Sequence, residues 1–452
     1  MDKKLTLFAL TWPIFVEISL RMLMGNADTL MLSGYSDHAV AAVGVANQLI
    51  GFAIVMLGFV ALGAGIVGSQ YLGAKEREKA AEVVVVSLAV NLIFGIVLAA
   101  VLYFLGPFLL SAMGLPDELM EPGRMFLAIV GGLLFFEAIS VTAGTVVRSY
   151  GYTKDAMYVT MGVNVLNVVG NWFVLFGPFD LPVEGVAGVA CSTVISRIVG
   201  AAVLMWILVR RVDMQLPWHL LTGYPKQVLK NILRIGVPAA GEVLSYNGSQ
   251  IAVVTFVAML GAEAITTKIY VQNIMMFIYL FSVAVGQATQ ILVGHQIGAG
   301  DKEAAYQTCM RSLKLSLVVS LLMALLFSLF RERLLSIFTD NPEIIALGGT
   351  LILLTILLEP GRTFNLVIIS SLRAAGDAKF PVYMGILSMW GVSVSLCYIL
   401  GIHFGLGLAG MWIAFACDEW LRGLLMLWRW RSRRWEKMGF VTKEPRSEAA
   451  QA

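Results

Sequence analysis

The sequence predicts an all-α integral membrane protein, with twelve transmembrane helices in two parallel-repeat six-helix bundles. Three observations predict it: a composition too apolar for a water-facing surface, twelve long apolar segments, and a duplication relating the first six to the last six.

Hydrophobic residues make up 58% of the 452, and only 13% are Asp, Glu, Lys or Arg. Soluble chains carry about 25% charged residues, so this one has about half the charge needed to solvate a folded surface. A mean hydropathy of +0.82 agrees. The net charge of +3 is too small to imply a nucleic-acid partner. No glycine-rich phosphate loop, HExxH or GxSxG stretch occurs, so no catalytic residues are expected and the chain does not read as an enzyme. Cys191, Cys309, Cys397 and Cys417 are far apart with no CxxC pair, which argues against a zinc site or a disulfide framework. The four histidines are equally scattered. Neither a metal site nor a cofactor is expected. The first apolar segment is too long for a cleavable signal and lacks a small-residue cleavage site.

A helix needs about 20 apolar residues to cross a bilayer. The first half offers such spans at 5–32, 41–72, 83–106, 124–146, 157–177 and 186–209, and the second at 232–258, 264–292, 313–330, 345–369, 381–401 and 407–428. Each should be helical, because only a helix satisfies its own backbone within lipid. Lys75, Arg77, Lys79, Arg148, Lys154, Arg210, Arg211, Lys302, Arg373 and Lys379 fall in loops of one side, together with the tail "WRWRSRRWEK". The opposite loops hold few cations: Arg124, Lys268 (read as snorkelling to the outer surface), Arg331 and Arg333. By the positive-inside rule both termini are cytoplasmic, in a multi-pass protein of the plasma (inner) membrane. The tail's Trp and Arg residues suit the headgroup layer. The resulting domains are an N-lobe (1–212), an amphipathic cytoplasmic linker (213–231), a C-lobe (232–430) and a basic cytoplasmic tail (431–452).

Adding 225 maps Pro13 onto Pro238, Glu17 onto Glu242, Phe52 onto Phe277, Arg148 onto Arg373, Gly151 onto Gly376 and Lys154 onto Lys379. Each copy holds an even number of spans, so both enter from the same side and the repeats are parallel. Two such bundles are the layout of a secondary transporter, with substrate bound between or within the bundles near mid-membrane.

The repeat also sorts the intramembrane polar residues. Asp28 maps onto Val253, and Asn164, Asn167 and Asn171 map onto Met389, Val392 and Leu396. Polarity kept in one copy only points to function, so Asp28 is a candidate functional carboxylate, and the three asparagines form one polar stripe on span 5, read either as interhelical glue or as amides that hydrogen-bond Asp28. Glu17 and Glu242 are symmetric, each four residues after a proline. They read as carboxylates answering backbone freed by that proline, or as a gate, with Arg21 placed to pair with Glu17. Glu137, which maps onto Arg362, is a further candidate. Glu359, Arg362, Asp418, Glu419 and Arg422 are spaced to share helix faces, and read as a mutually neutralising network for gating or stability.

Several stretches resemble the multidrug and toxic compound extrusion (MATE) transporters. They are "WPIFVE…LMGNADTLMLSG" on span 1, "GSQYLGAKE" after span 2, "VVRSYGYTKDA" and "SLRAAGDAKF" in equivalent loops, and "GVAGVA" and "GLAGMW" opening spans 6 and 12. The resemblance covers nearly the whole chain, in both halves. It implies a V-shaped exporter of cationic or amphiphilic compounds, driven by inward flow of H+ or Na+. It places the family's N-lobe protonatable Asp at Asp28, and at Asn171 an amide where many relatives carry a second Asp. In the sodium-using branch the C-lobe acids would fall near Tyr246 and Arg362, neither of which is an acid here.

The expectation is therefore an antiporter that exchanges small cationic or amphiphilic molecules for H+, with Na+ as the alternative coupling ion. Its partners are those substrates and membrane lipid, and it is expected as a monomer. A lipid-linked oligosaccharide flippase of related fold is the alternative, which would show cations converging on its cavity. An intramembrane enzyme is a remote third, lacking a His/Asp pair or metal ligands.

Overall fold

The structure, a computed structural model, describes residues 5–177, 185–211, 217–221, 223 and 225–441, and every regular element among them is helical. They form two compact units: Val16–Gly236, and Val237 onward together with the start of the first helix up to Phe15.

The first unit takes most of α1 (Leu7–Ser33), then α2 (Asp37–Gly73), α3 (Arg77–Ala112), α4 (Asp117–Phe126), α5 (Phe135–Ser149), α6 (Thr153–Phe176) and α7 (Gly185–Arg211). The expected fourth span is α4 and α5 together. A π-helical turn, Leu127–Gly131, widens the helix there, and the two limbs meet at 47°. Such a turn leaves backbone out of the regular ladder and is an ordinary cause of a kink. The core of this unit is built on α2, α3, α5 and α7 from Ala42, Ala46, Ile50, Leu57, Leu102, Leu134, Ala138 and Ala190, all nearly inaccessible. Small residues let the helices approach: a Cβ on Gly95 of α3 would stand 2.7 Å from that of Ala138 on α5.

The second unit contains most of α8 (Lys226–Met259), then α9 (Ala262–Ala299), α10 (Lys302–Leu329), the short α11 (Arg331–Ser336), α12 (Pro342–Ala374), α13 (Lys379–Ser388) and α14 (Gly407–Arg431). Two π-helical stretches, Met389–Val394 and Cys397–His403, extend α13 to complete span 11. In this unit α12 is central, packed against α9, α10 and α14.

Among the described residues, nine helical spans are long and apolar enough to cross a membrane, ten with the bent α4–α5 pair. The remaining two expected spans are α8 and α14, helices of 34 and 25 residues. Their apolar runs are interrupted by "SYNGSQ" (245–250) in α8 and by Asp418, Glu419 and Arg422 in α14. Of the expected linker 213–231, residues 213–216, 222 and 224 lie outside the described residues, and α8 already begins at Lys226.

Trp428 of the tail is exposed, with Arg434 over its ring, but the other two tryptophans do not face outward. Trp430 and Trp435 are fully buried, stacked with ring centroids 4.2 Å apart, and Trp435 Nε1 donates to the Trp430 carbonyl at 2.8 Å. Arg433, with φ at +55°, turns the chain back after α14 so that the second indole can lie on the first. Arg429 pairs with Asp377 at 2.7 Å and Arg433 with Glu303 at 2.7 Å. Residues 442–452 of the expected tail lie outside the described residues.

Candidate functional site

The site in the first unit is built on α1, α6 and α7. Asn171 Nδ2 donates to Asp28 Oδ1 at 2.7 Å and to Asn167 Oδ1 at 3.2 Å. Asn167 Nδ2 donates in turn to Thr193 Oγ1 on α7 at 3.2 Å, and Ser192 Oγ donates to the Asn167 carbonyl at 3.2 Å. Asp28 thus stands at the head of a hydrogen-bonded chain crossing three helices. Asn167 and Asn171 are buried, and Asn171 Oδ1 is left without a hydrogen-bond partner.

Asn164, expected in the same set, does not reach Asp28. Its Nδ2 donates to the Leu20 carbonyl of α1 at 2.9 Å. Seven residues of helix are about 10 Å, so it meets α1 two turns below the acid. The two bonds together set α1 and α6 side by side and parallel, as spans 1 and 5 must be if both leave the same membrane face. From Ile18 to Met31 no described side chain of α1 is buried, so these polar bonds, rather than packing, hold that part of the helix.

Below lies a run of charge. Arg148 Nη1 donates to Glu17 Oε1 at 2.7 Å, and Arg21 Nη2 donates to the same oxygen at 3.2 Å. Arg21 also lies 3.8 Å from Glu137, whose other oxygen is 3.7 Å from Arg197 Nε on α7. Arg197 further acts electrostatically on Asp28. The run holds three acids and three arginines, so it balances. Glu17 therefore answers Arg148, at the far end of α5, rather than backbone freed by Pro13. Arg197 was not among the residues expected here, yet the 225-residue shift places it on Arg422, which was. Testing the repeat from the second copy back to the first would have found it.

The charged residues expected together in the second copy do converge. Arg362 Nη1 donates to Glu359 Oε1 at 2.8 Å, and its Nε lies 3.8 Å from Glu419. Arg422 pairs with Asp418 at 2.7 Å and with Glu419 at 3.1 Å. Ser388 donates to Asp418, and Asn365 Nδ2 to Glu419 Oε2 at 2.9 Å. The expectation of mutual neutralisation fails by one charge: three carboxylates share two guanidiniums. Glu242 pairs with Arg373, apart from any proline-freed backbone. Lys268, expected to snorkel outward, is buried at 7% exposure. No group of three or more His, Cys, Asp or Glu able to hold a metal is found among the described residues.

A duplicated helical membrane bundle of this kind belongs to the class of membrane transporters. The MatE family model matches residues 13–173 and again 238–399, starts that are 225 residues apart. The chain belongs to the MATE family of membrane transporters. It is 51% identical to YisQ of Bacillus subtilis (strain 168), described as an uncharacterized transporter, over 97% of each chain. It is 28% identical to a probable multidrug resistance protein NorM of Thermotoga maritima, over 97% of this chain and 94% of that one. A solved structure of a MATE protein in a bent conformation matches with a TM-score of 0.87 at 21% identity, covering 94% of both chains.

Proposed function

We propose that the protein is a proton-coupled antiporter that exports cationic or amphiphilic small molecules, with Asp28 as the proton-carrying group. One observation carries the reading. Asp28 accepts from Asn171 on the stretch of α1 that has no buried described side chain, so its charge state bears directly on what holds that helix. A hydrogen bond to an ionised acceptor is roughly twice as strong as a neutral one. Protonation from outside weakens the tie between α1 and α6, lets the outer part of α1 repack, and removes the negative charge that would retain a cationic substrate. Inward proton movement contributes about 2.3 kcal/mol per charge per 100 mV. The names of relatives such as the Thermotoga protein support multidrug export as the task.

A proton suits the site better than Na+. Sodium needs several oxygen ligands, whereas Asn171 turns its amide nitrogen toward Asp28 and Asn167 turns its own toward Thr193. Where the sodium-using branch would carry acids, this chain has Tyr246 and Arg362. The flippase alternative called for cations converging on a cavity. Arg21 and Arg197 are such cations, but each already stands within 4 Å of Glu137. The test is efflux of a cationic dye from proteoliposomes: a protonophore should abolish it, and replacing Na+ with choline should not. Dependence on Na+ would sink the proton reading.

A further inference from the structure

Between α6 and α7 the first unit carries a groove of about 700 Å³, and neither Asp28 nor its bonding partners line it. The start of α6 lies beside the end of α7, so the groove has two unlike ends. Its apolar length is walled by Tyr158, Val159, Val163, Val199, Val203 and Ile207. At the other end stand Asp155, Trp206, Arg210 and Arg211. The core takes a different face of α7, through Ala190, Val194, Ala201, Leu204 and Leu208, whereas Val199, Val203 and Trp206 are exposed. The groove therefore opens on the surface of the unit.

Glycine gives it its shape. Gly162 of α6 is exposed, and a Cβ there would meet nothing within 4 Å, so the floor is open. Gly200 of α7 is buried, and a Cβ there would stand 2.7 Å from Val163, so the helices close up at the apolar end. At the polar end Arg211 pairs with Asp155 at 3.0 Å and lies over the Tyr152 ring. Arg210 makes no ion pair or hydrogen bond among the described residues, and its guanidinium lies 5.0 Å from the ring centre of exposed Trp206. One positive charge is thus left over.

The second copy has closed the same place. Adding 225 maps Gly162 onto Leu387, Gly200 onto Leu425 and Arg210 onto Trp435. Asp155 and Val203 map onto Phe380 and Trp428, whose ring centroids lie 6.3 Å apart, with Arg429 over the first and Arg434 over the second. The open floor and the spare cation belong to one copy only, so the repeated fold does not require them.

A cation at the membrane surface above an apolar trough matches the charge and shape of an anionic phospholipid. We propose that the groove binds one, its phosphate on Arg210 and an acyl chain over Gly162 toward Val163 and Val199. The Trp206 indole N–H and the Tyr158 hydroxyl, which donate to nothing among the described residues, serve its glycerol esters. By loop charge this lipid belongs to the cytoplasmic leaflet. A small anion would use Arg210 and leave the trough empty.

The test is native mass spectrometry of the protein, delipidated in detergent and titrated with phosphatidylglycerol or phosphatidylcholine of matched chains. One phosphatidylglycerol should be retained, roughly fivefold more tightly than phosphatidylcholine, which is the worth of one cation at an anionic surface. Arg210→Gln should erase that preference. Gly162→Leu fills open space with the residue the second copy carries, and should displace both lipids. Equal retention of the two lipids, or a preference that survives either substitution, would overturn the proposal. So would displacement of phosphatidylglycerol by inorganic phosphate, which marks a site for a free anion. A dimer that Gly162→Leu dissociates would overturn it too, since that marks an interface between copies.

Discussion

Arg148 and Glu17 are joined across 131 residues by a 2.7 Å hydrogen bond, and Arg373 and Glu242 are joined across the same 131 residues in the second copy. The duplication has preserved an ion pair, one half on the first helix of each copy and the other near the C-terminal end of the fourth span. Conserving both partners in both copies identifies the pair as a clasp of the repeat, in contrast to Asp28, which the second copy lacks.

Breaking the clasp leaves a buried charge unpaired. Removing one partner of such a pair costs about 3–5 kcal/mol, so Glu17→Gln and Glu242→Gln should each lower the melting temperature of the purified protein. The exchanged double variant Glu17→Arg with Arg148→Glu should recover part of the loss. Thermal melts followed by size-exclusion chromatography would read both.

Asp28→Asn keeps the size of the side chain and its bond to Asn171 while removing titration. It should assemble, with the α1–α6 tie weakened and a cationic substrate held less tightly, and proteoliposome efflux driven by a pH gradient should fall to background. Full coupled transport would make Asp28 a bystander.

The asparagines should separate by role. Asn171→Ala removes the donor to Asp28 and should impair coupled efflux. Asn164→Ala removes only a tie to the Leu20 carbonyl, a bond worth about 1 kcal/mol in a membrane, and should be felt as lower stability with transport retained. Comparing melting with transport in the two variants distinguishes them.

Gly170 lies between Asn167 and Asn171, where α6 meets α7. A Cβ there would stand 2.3 Å from Ser192 Oγ. Gly170→Ala should therefore spread the two helices and cost about 1–3 kcal/mol, disturbing Asn167 as it does so. Adding Ser192→Gly should restore stability and transport.

Loop charge predicts which face is outside, and with it the direction of the proposed proton entry. Single cysteines in the 114–122 loop should react with an impermeant reagent from outside, and those at 74–79 only after permeabilisation. The reverse pattern would invert the proposed direction of coupling.

Much of this was legible in the residues. Helices, duplication and the one-sided acid follow from quantities local to the chain: apolar length, loop charge, and comparison at one shift. Hydrophobic length alone commits a segment to a helix in lipid, because no other arrangement satisfies its backbone. For the same reason Asp28 and Asn171 could be brought together on paper, since both broke the repeat on spans of like direction.

What only the tertiary structure decided are relationships between helices that no spacing encodes. Glu17 and Glu242 each look like an answer to a nearby proline until α5 and α12 bring Arg148 and Arg373 against them. Asn164 shares a stripe with Asn171 but falls two turns short of Asp28. Trp430 and Trp435 have the composition of a headgroup anchor, and become a buried stack because Arg433 reverses the chain. The charges of span 10 and span 12 count three acids to two arginines in the sequence already, but only the packing joins them in one cluster, with Glu419 between both guanidiniums. Sequence determines which residues share a helix face, because the helical period is fixed; which faces meet depends on packing across segments distant in the chain, and the energy of a buried charge depends on that meeting.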